Sequence, residues 1–144
     1  MKKSFLKMME IPERTGGEVD NVKVVNLIRK GFDHQQITHF FGYTGKPLSD
    51  WSKVLPISKR TLERKISDKG NRVKGEPAEA IIESAEIYEI GINAFDGSID
   101  RLNEWLETAN PYLGGNKPFS IMDTHHGRDM VKDELTRIEY GAFA

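Results

Sequence analysis

The sequence contains no cysteine, so neither a disulfide framework nor a thiolate metal site can form. No uninterrupted apolar run approaches the length that a membrane-spanning helix needs. Near the N-terminus, Lys7 and Glu10 interrupt the stretch in which a signal peptide would need an apolar core. From these absences we expect a cytoplasmic protein with no membrane segment. We also expect no metal and no cofactor.

Net charge is also nearly absent, but the two halves of the chain differ in sign. The formal charge is −1 at pH 7. Residues 1–77 contain 16 Lys and Arg against 9 Asp and Glu, whereas residues 78–144 contain 5 against 13. A basic half beside an acidic half suggests two partners of opposite character, although two solvated faces would give the same counts.

Apolar residues recur at helical spacing through most of the chain, which predicts an all-α fold. Residues 1–20 lack sustained periodicity, and we expect them to form an N-terminal arm. A first helix begins near Asn21. Asp33 and Gln36 then have the spacing of a capping box, ahead of a second helix that we expect to end at Gly42.

Two short helices with a tight connection follow. Ser49 can cap the first, which must stop near Pro56, and Ser58 can cap the second. This arrangement is typical of a helix-turn-helix, in which the second helix enters the major groove with its N-terminus first. We predict that the DNA-contacting residues are Ser58, Lys59, Arg60, Thr61, Arg64 and Lys65. A helical hairpin with a solvated basic face is the alternative.

A longer helix follows, with Pro77 in its first turn and an apolar seam along one side. The seam includes Ile81, Ala85, Tyr88 and Ile92. It can pack within the chain or against a second copy. We expect a homodimer, because one short recognition helix reads only a few base pairs and symmetric pairing doubles the site.

Ser98 and Thr124 can each cap a helix in the C-terminal third. This part of the chain has a dense, ordered set of helix and turn signals. These are Trp105-Leu106, Asn110-Pro111, Leu113-Gly114-Gly115, Lys117-Pro118, Asp123-Thr124, Gly127, Val131, Leu135 and Arg137 to Gly141. The set resembles the toxin-binding domain of the Xre/MbcA/ParS antitoxin family. The segment from Ser58 to Arg64 also resembles the recognition-helix region that precedes this domain in the family.

The resemblance implies a binding protein, not an enzyme. Its partner would be a RES-domain toxin, which resembles ADP-ribosyltransferases and depletes NAD, and it would repress its own operon by binding operator DNA. We expect residues 21–75 to form an Xre-like helix-turn-helix domain and residues 76–144 to form the toxin-binding domain. Expected toxin-binding residues are Trp105, Leu113, Arg128, Arg137, Tyr140, Gly141 and Phe143.

Three questions stay open from the sequence. The tail carrying Tyr140 and Phe143 can reach the toxin's NAD pocket, or it can fold back on its own module. A stand-alone helix-turn-helix regulator without a RES toxin is the competing function. Finally, a metal site is geometrically possible among Asp123, His125, His126, Asp129 and Asp133, although first-turn polar residues are more often solvated caps.

Overall fold

The computed structural model describes residues 5–12, 21–68 and 70–141. Within these ranges the regular structure consists of eight α-helices and two short 3₁₀-helices, with no β-strand, so the expected all-α class is confirmed. The α-helices are α1 Phe5–Met8, α2 Asn21–Lys30, α3 His34–Thr44, α4 Leu48–Val54, α5 Lys59–Ser67, α6 Gly75–Ala94, α7 Ile99–Leu106 and α8 His125–Tyr140. The 3₁₀-helices are Pro111–Leu113 and Pro118–Ile121. The chain divides into two compact units, Met1–Ile82 and Glu83–Ala144.

Helix α3 begins at the expected capping box. The Asp33 carboxylate accepts a hydrogen bond from the Gln36 backbone N–H at 2.8 Å, and the Gln36 side-chain oxygen accepts one from the Asp33 N–H at 2.9 Å. The Gln36 amide also donates to the Met9 carbonyl at 3.0 Å, which fixes the segment after α1 against α3. The expected end at Gly42 is wrong, because α3 continues to Thr44 and ends at Gly45, whose φ of 71° is left-handed.

The core of the N-terminal unit centres on an aromatic cluster. Trp51 on α4 is completely buried, with its ring centroid 4.9 Å from that of Phe40 and 6.1 Å from that of Phe41. The indole N–H donates to the Thr44 hydroxyl at 3.1 Å, so the one polar atom of the ring is satisfied. This cluster fixes α4 against the C-terminal half of α3.

The segment after α5 is tied to the connection between α2 and α3. Phe32 and Val73 exchange two backbone hydrogen bonds, both 2.9 Å long. Gly31 has a φ of 83°, and a Cβ there would lie 2.4 Å from the Val73 carbonyl oxygen, so only glycine permits this approach. The residues from Gly70 to Lys74 are therefore held in place although they form no helix.

The apolar seam of α6 is used within the chain. Ile81, Ala85 and Tyr88 have no accessible surface. The Tyr88 hydroxyl donates to the Asn103 side-chain oxygen at 2.6 Å, and burial raises the pKa of this phenol. These three residues are consequently not available as an interface with a second copy, whereas Ile92, at the C-terminal end of the seam, is partly exposed.

In the C-terminal unit, each cap expected from the sequence is present. Ser98 accepts from the Arg101 N–H at 3.2 Å, and Thr124 accepts from the Gly127 N–H at 2.9 Å. Gly127 lies so near the preceding 3₁₀-helix that a Cβ would be 1.7 Å from the Ile121 carbonyl oxygen. The glycine thus allows α8 to begin directly against that turn.

Candidate functional site

Helices α4 and α5 are joined by residues 55–58, and Ser58 is the N-cap of α5. The Ser58 hydroxyl oxygen accepts from the Thr61 N–H at 3.1 Å, and its O–H donates to the Thr61 hydroxyl at 2.9 Å. Leu62, one residue further, is completely buried and anchors the inner face of α5. The two predicted hydroxyl contacts, Ser58 and Thr61, are therefore engaged with each other at the helix N-terminus.

The predicted basic residues of α5 fall into two groups. Lys59, Arg60 and Arg64 are exposed and form no ion pair within the described part of the chain. Lys65 instead turns toward the following loop, where its ammonium donates to the Asn71 side-chain oxygen at 3.2 Å and the Arg72 carbonyl at 2.9 Å. Three cations thus face solvent near the start and middle of the helix, while Lys65 holds the loop.

In the C-terminal unit, a groove of about 260 Å³ lies beside α8. Its lining residues are Trp105, Thr108, Ala109, Asn110, Pro111, Tyr112, Glu134, Arg137 and Ile138. The Arg137 guanidinium carbon lies 4.4 Å above the centre of the Tyr112 ring, a cation–π geometry. The same guanidinium donates to both Glu134 carboxylate oxygens, at 2.6 and 3.2 Å.

Large apolar side chains are exposed around this groove. Tyr112 is 70% exposed, and Tyr140, one turn beyond Arg137 on α8, is 77% exposed. Met130 precedes Glu134 by one helical turn and is 38% exposed. Tyr, Met and Arg are enriched where proteins bind one another, and fixed aromatic and guanidinium groups lose little entropy on binding. The Tyr112–Arg137 groove therefore has the composition of a protein-binding surface.

The toxin-binding residues expected from the sequence do not all lie on this groove. Trp105 and Arg137 line it, and Tyr140 and Gly141 are exposed at the end of α8. Leu113 and Arg128 are buried, so they support the unit from inside. Phe143 lies outside the described residues. Sequence reasoning missed Tyr112 and Glu134, since only the folding of the Pro111–Leu113 turn beside α8 brings them to Arg137.

Arg128 and His125 both bind one carboxylate of α6. The Arg128 Nε–H donates to Glu83 Oε1 at 2.7 Å, and its Nη1 donates to the Met122 carbonyl at 2.8 Å. His125 Nδ1 is hydrogen-bonded to Glu83 Oε2, and its Nε2 lies 3.3 Å from an Asp129 oxygen. The hydrogen bond to Glu83, followed by the negative charges of Glu83 and Asp129, raises the pKa of His125.

These contacts also bear on the possible metal site. Glu83 and Asp129 each contact one ring nitrogen of His125. Both nitrogens of His125 are therefore engaged by carboxylates at the start of α8. Among the residues that the structure describes, no group of three or more His, Asp and Glu side chains is arranged to hold a metal ion. Nor is any described helix both long enough and apolar enough to cross a membrane.

Comparison with known proteins defines the class of the C-terminal unit. Residues 92–141 match the family model described as the antitoxin Xre/MbcA/ParS C-terminal toxin-binding domain. The match includes the groove, α8 and the turns before it, so this part of the chain is similar to a toxin-binding domain of the antitoxin type.

Three proteins that are similar to this chain beyond the C-terminal unit are also named antitoxins. An Antitoxin Xre of Yersinia enterocolitica is 26% identical over 84% of this chain and 81% of its own length. A Prs ADP-ribosylating antitoxin of Sphingobium is 24% identical over 99% of this chain and 72% of its own. An Antitoxin Xre of Photorhabdus laumondii is 26% identical over 64% of this chain and 62% of its own. The resemblance seen in the sequence is confirmed, because both the domain model and these relatives are antitoxins of the Xre/MbcA/ParS type to which the chain is similar.

Proposed function

We propose that this antitoxin binds and neutralises a RES-domain toxin through its C-terminal unit, and that it represses its own operon by binding operator DNA through α5. The observation that carries the proposal is the match of residues 92–141 to a toxin-binding domain, in the part of the chain that holds the Tyr112–Arg137 groove. The RES identity of the toxin rests on the family resemblance.

The groove supports the choice of contact surface. Glu134 and Tyr112 hold the Arg137 guanidinium from two sides, so little of its conformational entropy remains to be lost on binding. Tyr112 and Tyr140 are both mostly exposed and together offer aromatic surface to a partner. A toxin segment with an acidic side chain beside apolar residues would fit this chemistry.

The exposed Tyr140 supports the inhibitory role of the C-terminal tail over the alternative in which it folds back. We expect deletion of residues 140–144 to weaken neutralisation with little change in melting temperature. The test is NAD consumption by the purified cognate RES toxin, mixed with full-length or truncated protein, alongside a thermal melt of each. Equal inhibition by both forms would exclude the tail. A melting temperature several degrees lower would instead make the tail part of the core.

The exposed cations Lys59, Arg60 and Arg64 support DNA binding by α5. A bidentate arginine–guanine contact contributes about 1–3 kcal/mol of discrimination. We therefore expect Arg60→Ala with Arg64→Ala to abolish operator retention in a gel shift. The matched control is Lys117→Ala, which removes an exposed cation from the C-terminal unit. Unchanged retention by the double variant would refute the assignment of α5 as the recognition helix.

A homodimer would place two copies of α5 on adjacent half-sites. Because Ile81, Ala85 and Tyr88 of the α6 seam are buried within one chain, we expect the dimer contact to lie mainly elsewhere on the surface. Light scattering of the free protein gives its mass directly. If the protein binds operator but no RES toxin, the stand-alone regulator becomes the better description.

A further inference from the structure

A second groove, of about 520 Å³, lies along one side of α5 in the N-terminal unit. Its lining residues are Ile57, Thr61, Lys65, Gly70, Asn71, Arg72, Val73, Lys74 and Pro77. Three of these are cationic, and none of the described lining residues is acidic. Two acids lie near the lining residues in sequence. Asp68 accepts hydrogen bonds from the Gly70 N–H and the Asn71 amide, so its own loop satisfies it, and Glu76 is exposed beside Pro77. The lining itself therefore carries positive charge and no carboxylate.

The positive wall is held by contacts within the unit. Lys65 binds the Asn71 side chain and the Arg72 carbonyl. The Arg72 guanidinium donates to the Lys30 carbonyl at 3.1 Å and the Gly31 carbonyl at 3.1 Å, and the next residue, Val73, pairs with Phe32. Lys65 and Arg72 are thus oriented by backbone carbonyls that neutralise no charge. A ligand would meet them already in place, which lowers the entropy lost on binding.

The position of the groove beside α5 determines what it would meet on DNA. An α-helix with its side chains is about 10–12 Å across, and the major groove is about 12 Å wide. A helix that occupies the major groove consequently has a sugar-phosphate strand along each side. Thr61 and Lys65 lie four residues apart on the side of α5 that lines the groove, whereas Arg60 and Arg64 lie on the neighbouring, exposed side.

We propose that this groove takes the sugar-phosphate backbone of one operator strand, with Lys74 contacting a phosphate and Lys65 and Arg72 supplying the surrounding positive charge. The proposal rests on DNA binding by α5 and adds to it a surface that reads no bases. Ile57, Val73 and Pro77 give the groove apolar wall against which a deoxyribose can pack. The role of Lys65 is then to position the loop and attract phosphate, and base recognition stays with Arg60 and Arg64.

The test separates phosphate contact from base contact by salt dependence. Lys74 is exposed, so Lys74→Gln removes the charge with little effect on the fold. Each phosphate contact adds about 0.9 to the slope of log affinity against log salt. We expect Lys74→Gln to lower that slope by about 0.9 and to weaken operator and scrambled duplex by the same factor. Fluorescence anisotropy with both duplexes, from low to high salt, measures this.

A control variant in the C-terminal unit shows whether loss of any exposed lysine changes the salt dependence of DNA binding. Lys117→Gln, which removes an exposed lysine from the other unit, should leave the slope unchanged. An unchanged slope for Lys74→Gln, or an equal fall for Lys117→Gln, overturns the phosphate contact while DNA binding by α5 stands. Loss of affinity for the operator alone also overturns it, because that result indicates base readout. Wild-type protein that binds neither duplex at any salt overturns the proposed DNA-binding function together with this inference.

Discussion

The ion pair between α6 and α8 allows a sharp test of how the C-terminal unit is held together. Glu83 pairs with Arg128 and Glu86 pairs with Lys132, in both cases at 2.7 Å. The pairs differ in burial. The Arg128 and Glu83 side chains are 8% and 18% exposed, whereas those of Lys132 and Glu86 are 24% and 25% exposed. Glu83→Ala and Glu86→Ala therefore remove the same group from the same helix beside cations of different burial, and Glu83→Ala also removes the hydrogen bond to the exposed His125.

The expected magnitudes differ accordingly. Removing one partner of a buried ion pair costs about 3–5 kcal/mol, because the other charge stays buried without compensation. Since Glu83 is partly exposed, we expect the lower end, about 3 kcal/mol, or a fall in melting temperature of roughly 10 °C for a chain of this size. The side chains of the Glu86–Lys132 pair are about one quarter exposed, so solvent screens this pair more than the Arg128 pair. We expect Glu86→Ala to cost about 1 kcal/mol and to lower the melting temperature by about 3 °C.

Differential scanning calorimetry of the two variants and the wild type measures both shifts. A fall of similar size in both variants would refute the reasoning that burial of the guanidinium makes the Arg128 pair structural.

Two further predictions concern the start of α8. The pKa of His125 is raised in the folded protein, so its ion pair with Glu83 contributes fully below the unfolded value of about 6.5 and is lost as pH rises through the folded pKa. Thermal melts should show wild-type stability declining over this window relative to His125→Gln, and parallel pH profiles would contradict the assignment. Gly127→Ala places a Cβ against the Ile121 carbonyl and should lower stability by about 1–3 kcal/mol in chemical denaturation. Gly42→Ala, in open space on α3, should raise stability by about 0.5–1 kcal/mol, and an equal loss in both variants would show that the close approach is unimportant.

Local signals in the sequence located most helix ends, because caps depend on residues three or four positions apart. Asp33, Ser58, Ser98 and Thr124 cap the helices expected of them. Pro47 and Ser49 are competing signals for the start of α4, and local sequence alone does not decide between them. The expected Ser49 cap is wrong, because α4 begins at Leu48 and its N-cap position is Pro47, two residues earlier.

The functional side chains were less predictable. Arg128 precedes the buried Val131 by three residues and Leu135 by seven, so helical periodicity alone places it on the inner face of α8. That signal was available in the sequence. The partnership of Tyr112 with Arg137 was not, since it depends on a turn whose approach to α8 no local spacing encodes.

Binding of the cognate RES toxin to single-residue variants tests the central claim most directly. By calorimetric titration, Arg137→Ala should weaken the complex by at least about tenfold, because a fixed guanidinium flanked by aromatic groups is typical of an interface hot spot. Arg101→Ala, which removes an exposed arginine from α7 that does not line the groove, should bind within about twofold of wild type, as expected for a non-contact residue. Equal affinity for all three proteins, with each shown to be folded by circular dichroism, would contradict the Tyr112–Arg137 groove as the toxin-binding surface.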